Sequence, residues 1–285
     1  MTKMLCGLIG AGIQRSLTPA MQEEEARAQG LRLHYQLIDL DVTGQGVEAL
    51  PGLLSAAKTM GFAGLNITYP CKQAVIPLLD GLSDEARAMG AVNTVVFRDG
   101  QAVGHNTDGS GWRWGFERTL PDADLSRVVL LGAGGAGSAI AHSLCRMRTA
   151  ALVVVDSDGG RASALAAELN KQYGGARVSG TTDAAAALQG ATGLVHATPT
   201  GMDKLPGLPL KAELLRPELF VAEIVYFPLE TALLKAAHAL GCRTVDGGTM
   251  AVGQAVGAFE LFTGRKADPA RVDAHFRRLV SQRSS

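Results

Sequence analysis

The sequence predicts an α/β fold built from two medium-sized domains, and three observations carry that prediction. Short apolar, strand-like runs alternate with longer helical patterns along the whole chain, as expected of parallel sheets covered by helices. A fresh sequence of strand, Gly-rich turn and helix opens with PDADLSRVVLLGAGGAGSAIAHSLCR (121–146), where a second unit begins. Gly is abundant, at 35 of 285 residues, while aromatic residues make up 5%, a mixture suited to covered sheets whose turns approach ligands closely. A chain of this length favours two cores over one, with a cleft between them.

The elements follow in order. Strands are expected at KMLCGLIG (3–10), LHYQLIDL (33–40) and GLNITY (64–69), with helices at about 19–29 and 47–60 filling the gaps. AVNTVVFRDGQAVGHNTD reads as two β segments joined at Asp99-Gly100, a hairpin turn signal, and this hairpin is expected to close the first sheet. A helical bridge at about 110–120 leads into the Gly-rich unit. Further strands at 151–156, 176–180, 193–199, 219–226 and 242–247 give a doubly wound sheet of about six strands. The segment from Met250 to Arg278 is helical in pattern and long enough to pack back on the first domain. The division is therefore 1–110, 111–248 and a C-terminal helical segment 249–285.

Composition removes several classes of function. Positive and negative side chains balance at 27 each, so no global field attracts polyanions, and nucleic acid is not an expected partner. The longest apolar runs are too short to cross a bilayer and MTKMLCGLIG lacks a signal-peptide layout, so a cytoplasmic protein with no membrane partner is expected. Cys6, Cys71, Cys145 and Cys242 are scattered without a CxxC pair, which disfavours a zinc site or a disulfide scaffold and leaves buried thiols and no metal. The sequence carries no signal for an oligomeric state.

Gly132-Ala133-Gly134-Gly135-Ala136-Gly137 matches GxGxxG, follows the apolar run 128–131 and leads into a helix over 138–147, the context a dinucleotide site needs. Gly132 permits a tight turn, Gly134 the approach of backbone to pyrophosphate and Gly137 close helix–strand packing, while the helix N-terminus supplies amide donors. The next strand ends in Asp156, followed by Asp158 and Arg161. An acid here accepts from the adenosine ribose hydroxyls and repels a 2′-phosphate, so the pair of carboxylates favours NAD over NADP. Asp156 or Asp158 could instead be a solvated turn residue, and Arg161 could stack on adenine or, with a shifted loop, hold a phosphate.

Oxidation of an alcohol needs an acid/base group beside the reacting carbon. None of Tyr35, Tyr69, Tyr173 and Tyr226 is followed four residues later by Lys, so the Tyr/Lys solution is absent. Other motifs occur along the chain: Ser16-Leu17-Thr18-Pro19-Ala20-Met21, Gly64-Leu65-Asn66-Ile67-Thr68-Tyr69-Pro70-Cys71-Lys72, Gly90-Ala91-Val92-Asn93-Thr94, and Asn106-Thr107-Asp108. The second half adds the GAGGAG turn, Ala197-Thr198-Pro199-Thr200-Gly201-Met202, Val225-Tyr226, and Asp246-Gly247 followed by Met250 and Gln254. In order and spacing this set resembles the shikimate and quinate dehydrogenases over nearly the whole chain, most of all the bacterial NAD-preferring branch.

That resemblance implies an N-terminal α/β substrate domain, a doubly wound Rossmann NAD-binding domain, and C-terminal helices returning to the first. It implies reversible oxidation of the 3-hydroxyl of quinate or shikimate, the small-molecule partner, with NAD as cofactor. Lys72 and Asp108 would be the catalytic pair, with Lys72 relaying the hydroxyl proton. Burial and a cationic nicotinamide would favour a neutral lysine and a nearby carboxylate a charged one, so its residue type suits either a proton carrier or a fixed positive donor. Ser16 and Thr18 would hold the carboxylate through neutral hydroxyls, with Thr68, Asn93, Tyr226 and Gln254 reaching hydroxyls or carboxylate. Thr198, Ile224, Gly247 and Met250 would join the cofactor site. Singly each has a plain structural reading, as helix cap, strand-end residue or solvated face, and only the set points to a site.

Three positions depart from the usual pattern: Gln22 where His is common, His196 where Asn is common, and Glu223 where Asp is common. They leave the reaction class intact but touch substrate preference and efficiency. Thr18 in place of Ser adds one methyl, worth only ~1 to 3 kcal/mol in discrimination. Gly109, Gly111, Gly247 and Gly248 are candidate hinges. Two other readings stay open, the same reaction on an amino-substituted analogue and a non-catalytic NAD-binding regulatory protein.

Overall fold

The computed structural model describes residues 3–284 and divides into two compact units. One contains the described residues up to Thr107 together with those from Gln254 onward, and the other runs from Asp108 to Gly253.

The first unit opens with β1 (Lys3–Gly10), α1 (Thr18–Ala28), β2 (Arg32–Asp39), the short α2 (Leu40–Thr43), α3 (Leu50–Thr59) and β3 (Phe62–Ile67). It continues through the single turn α4 (Cys71–Ala74), β4 (Gly81–Leu82), α5 (Asp84–Met89), β5 (Thr94–Arg98) and β6 (Gln101–His105). Its sheet has the order β2-β1-β3-β5-β6-β4, with β2, β1 and β3 parallel and β5 antiparallel to both neighbours. Both faces are covered, which explains the unbroken apolar run of β1. Ile9 points into one core with Leu65, Ile67 and Val95, whereas Cys6 and Leu8 point into the other with Tyr35, Val96 and Phe262.

Asp99 and Gly100 both take positive φ, +52° and +77°, and join β5 to β6 as the dipeptide predicts. The hairpin does not close the sheet, however. The two-residue β4 pairs in parallel outside β6, with Gly81 opposite Val103 and Leu82 opposite Gly104, and two residues are too few to leave a periodic signal. The expected strand 64–69 lies earlier, at Phe62–Ile67, because Thr68 and Tyr69 already turn into α4.

The second unit contains α6 (Asp108–Thr119), β7 (Arg127–Leu131), α7 (Gly135–Arg146), β8 (Ala151–Val155), α8 (Gly159–Tyr173), β9 (Val178–Thr181) and α9 (Ala184–Ala187). β10 (Gly193–His196), β11 (Phe220–Glu223), α10 (Ala232–Ala239), β12 (Arg243–Val245) and the start of α11 (Gly247–Thr263) complete it. All six strands are parallel in the order β12-β11-β10-β7-β8-β9, so the winding direction reverses between β7 and β10. Alternate residues again serve two cores: Val128, Leu130 and Val154 pack with Trp112, Phe116 and Ile140, while Val129, Val153 and Val155 pack with Leu194 and Leu233. The candidate hinge glycines lie in α6 and the first turn of α11. A Cβ on Gly253 would meet Gly111 O at 2.3 Å and one on Gly247 would meet Ile224 O at 2.4 Å, so Gly253 and Gly247 serve close packing.

The boundary between the units falls inside α11, and α12 (Pro269–Ser284) belongs to the first, where it packs on α1. Gly64 leaves room for Phe262 of α11 on the sheet: a Cβ there would lie 2.4 Å from the ring. Among the described residues, no helix is long and apolar enough to cross a membrane.

Candidate active site

In the second unit the predicted turn leaves β7 at the reversal point. Gly132 has φ +102°, and a Cβ on it would lie 2.7 Å from Ala197 O, while one on Gly137 would lie 1.9 Å from Gly132 O. These two glycines are therefore demanded by the protein's own packing. Gly134 and Gly135 are exposed, and a Cβ on either would meet nothing within 4 Å, so the open side of the turn is theirs. α7 starts there without a side-chain cap, leaving its first amides to an anion. Ala133 is buried and Ala136 half-buried.

The turn borders a cavity of about 480 Å³ lined by Gly132, Gly134, Asp156, Arg161, Thr182 and Thr198, among others. These residues fit a dinucleotide: anion-binding amides at the turn, and a carboxylate beside a guanidinium at the end of β8. Asp156 has a second duty that the sequence did not reveal. Its Oδ2 accepts from the Ala133 N–H at 2.8 Å and its Oδ1 from the Asp158 N–H at 2.9 Å, so it also holds the glycine turn in place. Burial alone would raise its pKa, but the amides of Ala133 and Asp158, the Arg161 charge and the Ser157 side chain outweigh it and hold the carboxyl below its usual range. Asp158 caps α8 through the Arg161 N–H at 3.1 Å, and the Arg161 guanidinium lies 3.6 Å from both carboxylates.

Thr198 follows β10 and its hydroxyl lies 2.5 Å from Nε2 of His196, while Nδ1 of His196 lies 2.8 Å from Glu223 Oε1. Ile224 and Met250 are half-buried against the core of this unit, and Tyr226 is 41% exposed beyond β11. Asp108 is buried as the first residue of α6.

In the first unit the predicted substrate residues gather beyond the carboxyl ends of β1 and β3 and around the start of β5. Ser16 Oγ accepts from the Thr18 N–H at 3.2 Å, which sets both half-buried hydroxyls at the entry to α1. A Cβ on Gly10 would lie 2.2 Å from Thr68 Cγ2, so that glycine gives Thr68 its place, and the Ala11 N–H donates to Tyr69 O at 2.9 Å. Lys72 is half-buried in α4, its carbonyl accepting from the Val92 N–H at 2.9 Å. Asn93, next in sequence, clamps Thr107: its Oδ1 accepts from the Thr107 N–H at 2.8 Å and its Nδ2 donates to Thr107 Oγ1 at 3.0 Å. The Thr107 hydroxyl in turn lies 3.4 Å from the Gln254 carbonyl. Asn93 thus fixes the residue that directly precedes Asp108.

Asp39 was not legible as a site residue. At the end of β2, it accepts from the N–H groups of Gly12 and Ile13, both at 3.0 Å, and from Gln14 Nε2 at 3.0 Å, and so shapes the loop that leads to Ser16. Burial opposes ionisation, but these bonds and the Asp41 amide win and lower its pKa. An acid at a strand end just before a turn was the available signal. The four cysteines are buried, free thiols, and burial pushes Cys6 up to about 12, far from nucleophilic use.

A family model described as shikimate dehydrogenase substrate binding domain matches residues 8–95. The shikimate dehydrogenase (NADP(+)) of Streptomyces avermitilis is 57% identical, over 97% of this chain and 96% of that protein. The quinate/shikimate dehydrogenase (NAD(+)) of Corynebacterium efficiens is 48% identical, over 96% of this chain and 97% of that one. The structure of quinate dehydrogenase from Corynebacterium glutamicum in complex with NAD superposes with a TM-score of 0.93 at 46% identity, covering 98% of this chain and 100% of that chain. With relatives this similar along almost its entire length, and with the glycine turn and the hydroxyl-rich loops where the fold needs them, the chain belongs to the shikimate/quinate dehydrogenase family.

Proposed function

We propose that this protein is an NAD-linked dehydrogenase that reversibly oxidises the 3-hydroxyl of quinate, shikimate or both to the 3-dehydro acid. One observation carries the reading: a dinucleotide cradle at the reversal point of a doubly wound sheet shares a chain with an ordered array of hydroxyl, amide and lysine groups suited to a polyhydroxylated acid. When bound, NAD+ supplies the hydride acceptor. Lys72 takes up the proton of the reacting hydroxyl, with Asp108 as its carboxylate partner. Ser16 and Thr18 hold the carboxylate, and Thr68, Asn93, Tyr226 and Gln254 complete the contacts to substrate.

The domains follow the same reading, the first unit binding the acid and the second the dinucleotide. The preference for NAD rests on Asp156 and Asp158, two carboxylates where a 2′-phosphate would lie, against a single Arg161 already shared between them. Relatives in this family carry both cofactor names, so the argument is one of local charge. A cytoplasmic location belongs to the same proposal, supported by four free thiols with no disulfide.

Steady-state kinetics with quinate and shikimate against NAD+ and NADP+ test the reading. The expected result is turnover with at least one acid and kcat/KM for NAD+ at least tenfold above that for NADP+. Turnover of neither acid defeats the substrate assignment, and equal or NADP-favouring values defeat the cofactor argument.

A further inference from the structure

His196 and Glu223, which the reaction scheme leaves idle, end neighbouring strands in register across the β10–β11 ladder, and both side chains are fully buried. Glu223 sits among donors. Its Oε1 accepts from His196 Nδ1 at 2.8 Å and from the N–H groups of Ile224 at 2.8 Å and Val225 at 2.9 Å, while its Oε2 accepts from the Thr231 hydroxyl at 3.0 Å. All four partners can donate, so the Glu223 carboxyl serves here as an acceptor. The ring proton is thereby fixed on Nδ1, and Nε2 is left facing the Thr198 hydroxyl at 2.5 Å.

With the ring proton on Nδ1 and none on Nε2, Nε2 only accepts; Thr198 then gives its single hydroxyl proton to His196 and takes the Thr200 N–H at 3.3 Å. Any further bond made by Thr198 must use a lone pair. The residue lines the cavity beside Gly132, whose added Cβ would lie 3.1 Å from Thr198 Cγ2.

We propose that His196 and Glu223 are positioning residues for the bound dinucleotide: the buried pair fixes Thr198 as a hydrogen-bond acceptor towards the cavity, matched to a hydroxyl or amide donor of the dinucleotide and not to a phosphate oxygen. The proposal rests on the NAD-binding reading. The same carboxyl ties down the Ile224 and Val225 amides, so one buried side chain orders the exits of two strands on the cofactor side of the sheet. That ordering gives a physical reason to keep a buried polar pair, because an apolar replacement would leave the Ile224 and Val225 amides without their acceptor.

The test compares NADH affinity, read by fluorescence, in the wild type, His196→Asn, Thr198→Val and the double variant. Asparagine keeps a donor for Glu223 but withdraws the group that faces Thr198. Each single variant should raise the NADH Kd about tenfold, the double variant should be no weaker than the weaker single, and the Tm of His196→Asn should stay within a few degrees of wild type. An unchanged Kd in His196→Asn, or losses that multiply in the double variant, overturn the proposal. Wild type that fails to bind NADH instead removes the reading beneath it. If His196→Asn does not fold, the imidazole ¹⁵N shifts of the wild type decide. A ring protonated on Nδ1 whose Nε2 resonance moves as NADH saturates the protein supports the proposal, and a ring protonated on Nε2 or an unmoved resonance overturns it.

Discussion

Lys72 and Asn93 illustrate how much a single side chain owes to the backbone beneath it. The carbonyl of Lys72 is tied to the Val92 N–H, and Asn93 grips both polar groups of Thr107. If Lys72 carries the proton, Lys72→Ala should lower kcat about a hundredfold or more while the NADH Kd changes less than twofold, measured by turnover and fluorescence titration. Unchanged turnover would remove it from the reaction. Asn93→Ala should act differently, because it strips a partner from the buried Thr107 N–H; a stability loss of about 1 to 3 kcal/mol by urea denaturation is expected alongside reduced activity. Both residues stood out in the sequence by their motifs. The bonds that give Asn93 its positioning role run to Thr107, 14 positions away, and no local pattern announces them.

Among the elements, α7 joins the glycine turn at one end to a buried histidine further along. His142 has no exposed side-chain surface; its Nδ1 lies 3.0 Å from the Tyr173 hydroxyl of α8 and its Nε2 is 3.7 Å from Glu168. Burial, aided by the Arg146 charge, lowers its pKa from 6.5 to about 4. The unfolded chain therefore binds this proton more readily than the folded one between those values. Stability from His142 is complete above pH 6.5 and declines as the pH falls towards 4, by up to about 3 kcal/mol. Tm against pH for wild type and His142→Leu checks it: the leucine variant should show a flatter acid limb between pH 6.5 and 4, and parallel curves would refute the assignment. The strands of this unit were readable from apolar runs, but their ends were overestimated wherever apolar residues continue into the loops beyond β10 and β11.

At the scale of the whole molecule, the first unit is assembled from chain segments far apart in sequence. Glu25 of α1, 1% exposed, is held by a two-pronged contact from Arg271 of α12 at 2.7 and 2.9 Å, and also accepts from the Asp268 N–H at 2.9 Å. Burial would raise the Glu25 pKa, but Arg271, the Asp268 amide and Gln29 outweigh it and lower it. Its contribution to stability is thus present above the ordinary glutamate range and lost as the pH falls through the depressed value. Arg271→Leu leaves the buried carboxylate unpaired and should cost about 2 to 3 kcal/mol in urea denaturation, less than for a fully buried pair because Arg271 is 35% exposed. A variant as stable as wild type would show that α12 is fastened by its apolar face alone.

By itself the sequence determined the alternation of strands and helices, the Asp99-Gly100 turn and the glycine cradle, because each is written in residues adjacent along the chain. It also marked which polar residues belong to one set. Only the tertiary structure decided that Asp156 braces the glycine turn, that Asp39 shapes the loop before Ser16, and that His196 and Glu223 are partners. It likewise decided that β4 lies outside the hairpin. The physical reason is common to all four: a buried carboxylate or an edge strand takes its partners across the sheet, from segments whose spacing along the chain bears no relation to their distance in space.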